Sequence, residues 1–435
     1  MNMSEFTARR EQLMSEIGTG NIALIASAKV RSRNRDVDYP FRQDSDFFYL
    51  TGFNEPDALA VFIPGREQGE YILFCKEYDE KKALWEGAHA GLEGATADFS
   101  ADDAFPIDDL SDILPGLLEN KEKVFYPMGR DAAFDHQLME WINHIRSQTR
   151  SGVNAPGELV SLEHTQHEMR LIKTEAELEL MRYAADVSVK AHMRAMQQCK
   201  AGLFEYQIES EIIHEFMNNG LRDVAYPSIV AGGENACVLH YVENNSVLNE
   251  GDLLLIDAGA ECNHYAADIT RTFPVNGRFS TEQKALYQLV LDAQYAAIEE
   301  VKPNAPWNKA HDVSVEVLTA GLVDLGLLVG DVEQLIKDEA YKAFYMHRIG
   351  HWLGMDVHDV GDYKIDNEWR VLEVGMVLTI EPGLYIPKDC ADVAEKWRGI
   401  GIRIEDDVVV TETGYEVLTQ AAVKEIAEIE ALMAS

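Results

Sequence analysis

Paired cysteine motifs are missing from this sequence: its five cysteines, Cys75, Cys199, Cys237, Cys262 and Cys390, show no CxxC spacing and form an odd set. That suits reduced, structural thiols in a cytoplasmic setting rather than a disulfide framework. No uninterrupted apolar stretch reaches the ~20 residues that a membrane-spanning helix needs. The opening residues, MNMSEFTARR, lead into EQLMSE rather than into an apolar signal core. Positive charge is scarce as well: 38 basic residues stand against 75 acidic ones, a formal net charge of −37 with no basic run. Nucleic acid, anionic membrane surfaces and acidic substrates are therefore poor partners, and the charge itself serves solubility. Low-complexity segments and internal repeats of solenoid period are absent too.

What is present is ordinary globular composition, 46% hydrophobic and 9% aromatic, in a chain of 435 residues, a length that predicts two domains. The first part alternates short apolar runs with helical patterns. Ile22 to Ala26, Leu59 to Ile63, Tyr71 to Cys75 and Val124 to Tyr126 read as strands, with a hairpin loop over Gly65 to Gly69. Phe134 to Ile145 places Leu138, Trp141, Ile142 and Ile145 on one helical face, and the turn-rich SGVNAPG at 151–157 follows. This predicts an α/β domain over residues 1–172. Thr174 with Glu177 has the capping-box spacing and opens a long helix to about Cys199. The second domain, 173–435, mixes helices (Leu203 to Met217, Thr281 to Val301, Ala310 to Leu325) with strands (Leu253 to Ala258, Met376 to Ile380, Arg403 to Thr411), an α+β pattern.

Four elements of the second domain carry chemistry. DLLLIDAGAECNHYAADITRTF, residues 252–273, reads as a β-hairpin. With Cys262-Asn263 as its two-residue turn, Asp257 and Asp268 would lie directly opposite, their Cβ atoms about 4.5–5.5 Å apart. Two like charges there are destabilising without a cation between them. Asp257 also follows four apolar residues, where coordination would relieve the cost of a buried carboxylate. Residues 346–361, MHRIGHWLGMDVHDVG, hold three of thirteen histidines, His347, His351 and His358. The general-base glutamate of HExxH is absent, and Gly350 and Gly354 weaken any helix, so a loop or strand presents these imidazoles singly. Glu381 ends a strand just before Pro382-Gly383. In GIGIRIEDD, residues 399–407, the alternation sets Arg403 and Glu405 on one face of a half-exposed strand and Ile402 and Ile404 on the other.

Each piece alone has an ordinary explanation as a turn, surface or core residue. Together, four carboxylates and one imidazole at apolar strand ends match the charge of two divalent cations. Such ligation favours Mn²⁺, Co²⁺, Fe²⁺ or Zn²⁺ over Ca²⁺, with Mn²⁺ as the leading expectation. Two cations about 3.5–4 Å apart would bridge and activate a water, so hydrolysis is the expected reaction. His347, His358 and the isolated His240 remain for proton transfer and for stabilising a tetrahedral intermediate.

The ordered set Asp257, Asp268, His351, Glu381 and Glu405 resembles the metal ligands of the pita-bread metallopeptidases. FRQDSDFFYLTGF at 41–53, with HWLGMDVHDVG and RGIGIRIEDD, is similar to the aminopeptidase P, or Xaa-Pro aminopeptidase, family over almost the whole chain. The resemblance implies an α/β N-terminal domain, a C-terminal pita-bread domain of curved antiparallel sheet backed by helices, and a homodimer or homotetramer. It implies that Asp257 and Glu405 hold metal at one end of the pair and Asp268, His351 and Glu381 at the other, with Asp268 and Glu405 bridging. His240, His347 and His358 match the family's active-site histidines, Glu381 would also relay a proton, Arg403 neighbours the last ligand, and Tyr385 belongs to the substrate pocket. Trp85 matches a tryptophan that reaches a neighbouring subunit's site. Arg348 departs from the pattern, in which glycine is common after the first histidine, and Asn304 stands where Pro-Gly is common.

The implied substrates are peptides with an Xaa-Pro N-terminus. A bond preceding proline is a tertiary amide without an N–H, so a protease that docks substrate through that donor loses a contact and a dedicated site is expected. The rival readings are a prolidase acting on Xaa-Pro dipeptides and a non-catalytic pita-bread protein that binds peptides.

Overall fold

The computed structural model describes residues 1–435, which form two compact units, Met1–Arg170 and Leu171–Ser435. In the first unit six strands make one mixed sheet, in the order Asp103–Pro106, Tyr71–Cys75, Leu59–Phe62, Ile22–Ala26, Lys123–Tyr126, Glu158–Ser161. The apolar runs sit in its middle, and Leu59–Phe62 and Tyr71–Cys75 are buried throughout, as expected for strands covered on both faces. Helix Ala132–Ser147 starts where the Asp131 carboxylate accepts from the amides of Ala133 and Phe134, and it buries the four predicted apolar residues. The stretch 41–53 is a structural clasp. Gln43 accepts from the amide of Ala28 at 2.7 Å and donates to the carbonyl of Phe53 at 3.0 Å, and Asp46 pairs with Arg170 at 2.6 Å.

The second unit is built from antiparallel strands and helices. Thr174 and Glu177 form the capping box that opens helix Glu175–Gln198, whose alanine-rich face packs into a core with Leu254, Ile256, Ile402 and Ile404. Burial of each such aliphatic side chain contributes about 1.5–3 kcal/mol. One three-stranded sheet joins Ile229–Gly232, Leu253–Asp257 and Thr270–Pro274; another joins Val377–Ile380, Asp406–Thr411 and Gly414–Val417; Gly383–Ile386 pairs with Ile400–Arg403. Each of these pairings is antiparallel. Asn304 has φ 68°, the left-handed conformation that asparagine tolerates.

Three local expectations change. The hairpin turn is Asn263-His264, both at positive φ, so Cys262 pairs with Tyr265 and Asp257 lies opposite Thr270 rather than Asp268. The predicted turn is displaced by one residue and the register by two. Because the side-chain period is two, both aspartates still face the same way, now as diagonal neighbours. The expected strand Arg403 to Thr411 is two strands in separate sheets, broken at Ile404-Glu405. Its face is not half-exposed: Arg403 is 4% and Glu405 2% exposed, since strands and helices cover both sides.

Candidate metal centre

Each proposed carboxylate ligand stands where a strand stops or is about to start. Asp257 is the last residue of its strand, Asp268 precedes the strand Thr270–Pro274 by two residues, Glu381 occupies the break before Pro382, and Glu405 fills the break between Arg403 and Asp406. Regular pairing uses up backbone groups, and at a break the chain can turn a carboxylate into the gap. His351 comes from an irregular segment laid against the strand Val377–Ile380: the amide of Thr379 donates to the carbonyl of His351 at 2.9 Å, and the amide of His351 to Thr379 Oγ1 at 3.1 Å. That approach requires Gly350, where a Cβ would lie 1.9 Å from the carbonyl oxygen of Thr379. Gly259 serves the aspartates similarly, since a Cβ there would lie 1.7 Å from the carbonyl oxygen of Ala267.

Donor atoms of Asp268, His351 and Glu405 lie within 4.8 Å of one another. His351 Nδ1 donates to the carbonyl of Trp352 at 2.9 Å, which leaves Nε2 facing Asp268 Oδ2 at 3.4 Å and Glu381 Oε1 at 3.7 Å. This is the orientation in which a metal-binding imidazole is held by its other nitrogen. Asp257 stands beside the triad, its Oδ2 accepting from Arg403 Nη2 at 2.6 Å. Together these residues line a cavity of about 250 Å³ that also takes in His240, His347, His358 and Arg348. Tyr385 is fully buried behind it, its hydroxyl 2.9 Å from His347 Nε2 and accepting from Arg403 Nη1 at 3.0 Å. Trp85 belongs to the N-terminal unit, where its indole is 86% exposed on the short helix Glu80–Glu86.

The electrostatics reflect several carboxylates buried close together. Burial, with repulsion from neighbouring carboxylates, raises Asp268, carries Glu405 well above the carboxylate range and pushes Glu381 up to about 7. Burial alone would lower His351, but its hydrogen bond with Asp268 and the charges of Glu381 and Asp268 override this and raise it to about 9. Without a metal, protons must take the place of positive charge. His347 goes the other way: burial and the charge of Arg403 push it to about 4, so it is a neutral imidazole at pH 7. Burial and the His351 charge lower His358 as well.

Sequence reasoning missed the groups that hold these candidate ligands. The Tyr226 hydroxyl lies 2.6 Å from Asp257 Oδ1 and 2.5 Å from Asp268 Oδ1, bridging the pair. Thr270 Oγ1 donates to Glu405 Oε2 at 2.6 Å and accepts from Arg403 Nε at 3.0 Å. Arg271, fully buried, donates to the carbonyl of Glu405 at 2.6 Å and to Asp406 at 2.7 Å. The run Thr270-Arg271-Thr272 after an aspartate was a usable signal, being polar where a central strand should be apolar. Tyr226, alone before Pro227, offered none.

Residues 179–412 match metallopeptidase family M24, and residues 6–126 match the aminopeptidase P N-terminal domain. The chain is 45% identical over 429 residues to a Xaa-Pro aminopeptidase of Haemophilus influenzae, covering 99% of this chain and 97% of that one. It is 43% identical over 434 residues to the Xaa-Pro aminopeptidase of Escherichia coli, covering 100% and 98%. Among solved structures, Pseudomonas aeruginosa aminopeptidase PepP superposes with a TM-score of 0.99 at 57% identity, covering 100% of this chain and 98% of that one. A zinc-substituted Escherichia coli aminopeptidase P in complex with product does so at 0.97 and 43%, with coverage of 100% and 98%. The α/β unit followed by a pita-bread unit is thus the two-domain aminopeptidase P fold. On these grounds the chain belongs to metallopeptidase family M24, in its aminopeptidase P group.

Proposed function

We propose that this protein is a Xaa-Pro aminopeptidase, releasing the N-terminal residue from peptides with proline in second position at a dinuclear metal centre. The observation that carries this is the convergence of Asp268, His351 and Glu405 within 4.8 Å, inside a cavity that Asp257 and Glu381 also line. The donor set fits divalent cations: four carboxylates and an oriented imidazole, three of the carboxylates held up in pKa by burial, as uncompensated negative charge would be. Mn²⁺ is the cation we favour, with Co²⁺, Zn²⁺ and Fe²⁺ accommodated by the same ligands. When bound, the pair would supply an activated water and polarise the substrate carbonyl.

The protein's own groups do the rest. Arg403 fixes Asp257 so that its carboxylate stays turned into the cavity, where the substrate's α-amino group would dock. His240 and His358, exposed at the cavity edge, are placed to donate to the carbonyl oxygen as charge develops there. His347 Nδ1 donates to the carbonyl of Arg348 at 2.8 Å, so Nε2 accepts from Tyr385. That fixes the ring as the neutral tautomer beside Glu381, whose Oε2 is 3.9 Å from His347 Nδ1. Glu381, beside His347 in the cavity, would take a proton from water and deliver it to the departing proline nitrogen.

Unpaired cysteines throughout the chain suit a cytoplasmic enzyme. The bare Trp85 indole suits a homodimer or homotetramer in which it reaches a neighbouring subunit's site. Cleavage of an Xaa-Pro-Xaa tripeptide by metal-replete protein, compared with an Xaa-Pro dipeptide, tests the reading. We expect the tripeptide to be cut at the Xaa-Pro bond with the higher kcat/KM; a preference for the dipeptide would make the enzyme a prolidase.

A further inference from the structure

Two arginines line the catalytic cavity, and they are used differently. Arg403 directs its guanidinium donors to Asp257, Thr270 and Tyr385. Arg348 directs none to any acceptor of the protein: its guanidinium carbon lies 5.0 Å from the ring centroid of Trp369 and 5.9 Å from that of Trp307. These two indoles are themselves stacked, 5.8 Å apart and 21° from parallel, and Trp307 is buried. Asp312 feels the charge of Arg348, but its hydrogen bond is with Asn308. The result is a cation held in place by aromatic faces with its five N–H donors free, exposed at the edge of a cavity that four carboxylates also line.

From this arrangement we infer that Arg348 is the receptor for the C-terminal carboxylate of short peptide substrates, and so sets specificity on the leaving side of the scissile bond. The inference rests on the aminopeptidase reading and adds to it which end of the substrate is read and by what. A short peptide is a zwitterion. The aminopeptidase reading docks its α-amino end where Asp257, Asp268, Glu381 and Glu405 gather, and Arg348 repels an ammonium. The only charge of the substrate that Arg348 attracts is therefore the carboxylate at the other end. The planar guanidinium fork can take both oxygens of that group, and the partly enclosed cavity strengthens the attraction relative to open water. Arg348 makes no contact with the reacting atoms in this scheme; it discriminates by length and by terminal charge.

The test compares the tripeptide Ala-Pro-Ala as free acid with its C-terminal amide, in wild-type enzyme, Arg348→Gln and Arg348→Lys, all loaded with Mn²⁺. We expect wild-type enzyme to favour the acid by about tenfold through KM, with kcat nearly equal, as a charge-assisted bidentate contact implies. Arg348→Gln should bring the acid-to-amide ratio to within about twofold, and Arg348→Lys should leave it between the two, because lysine keeps the charge and loses the fork. Added salt should shrink the wild-type ratio and leave that of Arg348→Gln unchanged. An unchanged ratio in Arg348→Gln would overturn the inference, as would equal losses on acid and amide, which would assign Arg348 to loop support. Wild-type enzyme that cuts neither peptide would overturn the aminopeptidase reading together with the inference.

Discussion

Arg403 Nη2 sits 2.6 Å from Asp257 Oδ2, and both side chains are nearly buried. The same guanidinium reaches Tyr385 and Thr270, so one residue ties the aspartate to both His347 and Glu405. Removing it leaves Asp257 as a buried, uncompensated charge. Arg403→Met should therefore cost about 3–5 kcal/mol of stability in metal-free protein, measured by urea unfolding. Divalent cations should restore part of this, while their affinity falls by about 10–100-fold in calorimetric titration, as for other outer residues that orient ligands. A stable variant with unchanged Mn²⁺ affinity would show that Asp257 orients itself.

Tyr226 bridges Asp257 and Asp268 with one proton between two carboxylates. Burial and these two charges push its phenol well above its ordinary value, so it stays a donor at every working pH. Tyr226→Phe should lower the stability of metal-free protein by about 1–3 kcal/mol. The deficit should shrink when metal is present, because cations then take over the bridging. Equal deficits with and without metal, read from thermal unfolding, would rule out a role in holding the aspartates together.

Much of this was legible beforehand, for identifiable reasons. The apolar runs of the N-terminal sheet, the capping box at Thr174 and the amphipathic face of Leu138 to Ile145 are local signals, and the structure follows them. The strand breaks were harder to see. Nothing local distinguishes Glu405 as a break rather than a strand residue, because Arg271 enforces it from a distance through the Glu405 carbonyl. The hairpin register failed by a single residue at the turn: Asn263-His264 was chosen over Cys262-Asn263 by left-handed backbone, with asparagine the better host. Tyr226 was invisible because a tyrosine reveals its partners only once the chain is folded.

In metal-free protein, stability should fall as pH rises from about 7 to 9. His351 has a folded value of about 9 against an ordinary histidine value of about 6.5, so the folded state binds the extra proton across that interval and loses its advantage as the proton leaves. Glu381, raised to about 7, completes its own loss at the lower edge of the window. His192, His311 and His347, all lowered to about 4, act in the opposite sense, but only below about pH 6.5. Thermal midpoints of chelator-treated protein across this range check the direction. Saturating Mn²⁺ should flatten the decline, since the cation displaces the same protons. A midpoint that rises toward pH 9 would contradict the protonated His351.

Glu381→Gln keeps the shape of the side chain and removes its basicity. It should fold like wild type by circular dichroism and lose nearly all turnover in a metal-replete assay, whereas His347→Ala should lower kcat on an Xaa-Pro-Xaa peptide with KM little changed. Wild-type-like activity in Glu381→Gln would sink its assignment as the proton carrier, and unchanged kinetics in His347→Ala would make that residue structural.

The most direct test of a dinuclear Xaa-Pro aminopeptidase is to strip the protein of metal and titrate Mn²⁺ back while following Xaa-Pro-Xaa hydrolysis and bound metal together. The arrangement of Asp257, Asp268, His351, Glu381 and Glu405 predicts no activity in chelator and full activity only when two ions are bound per chain. Full activity with one ion bound, or hydrolysis undiminished in chelator, would contradict it.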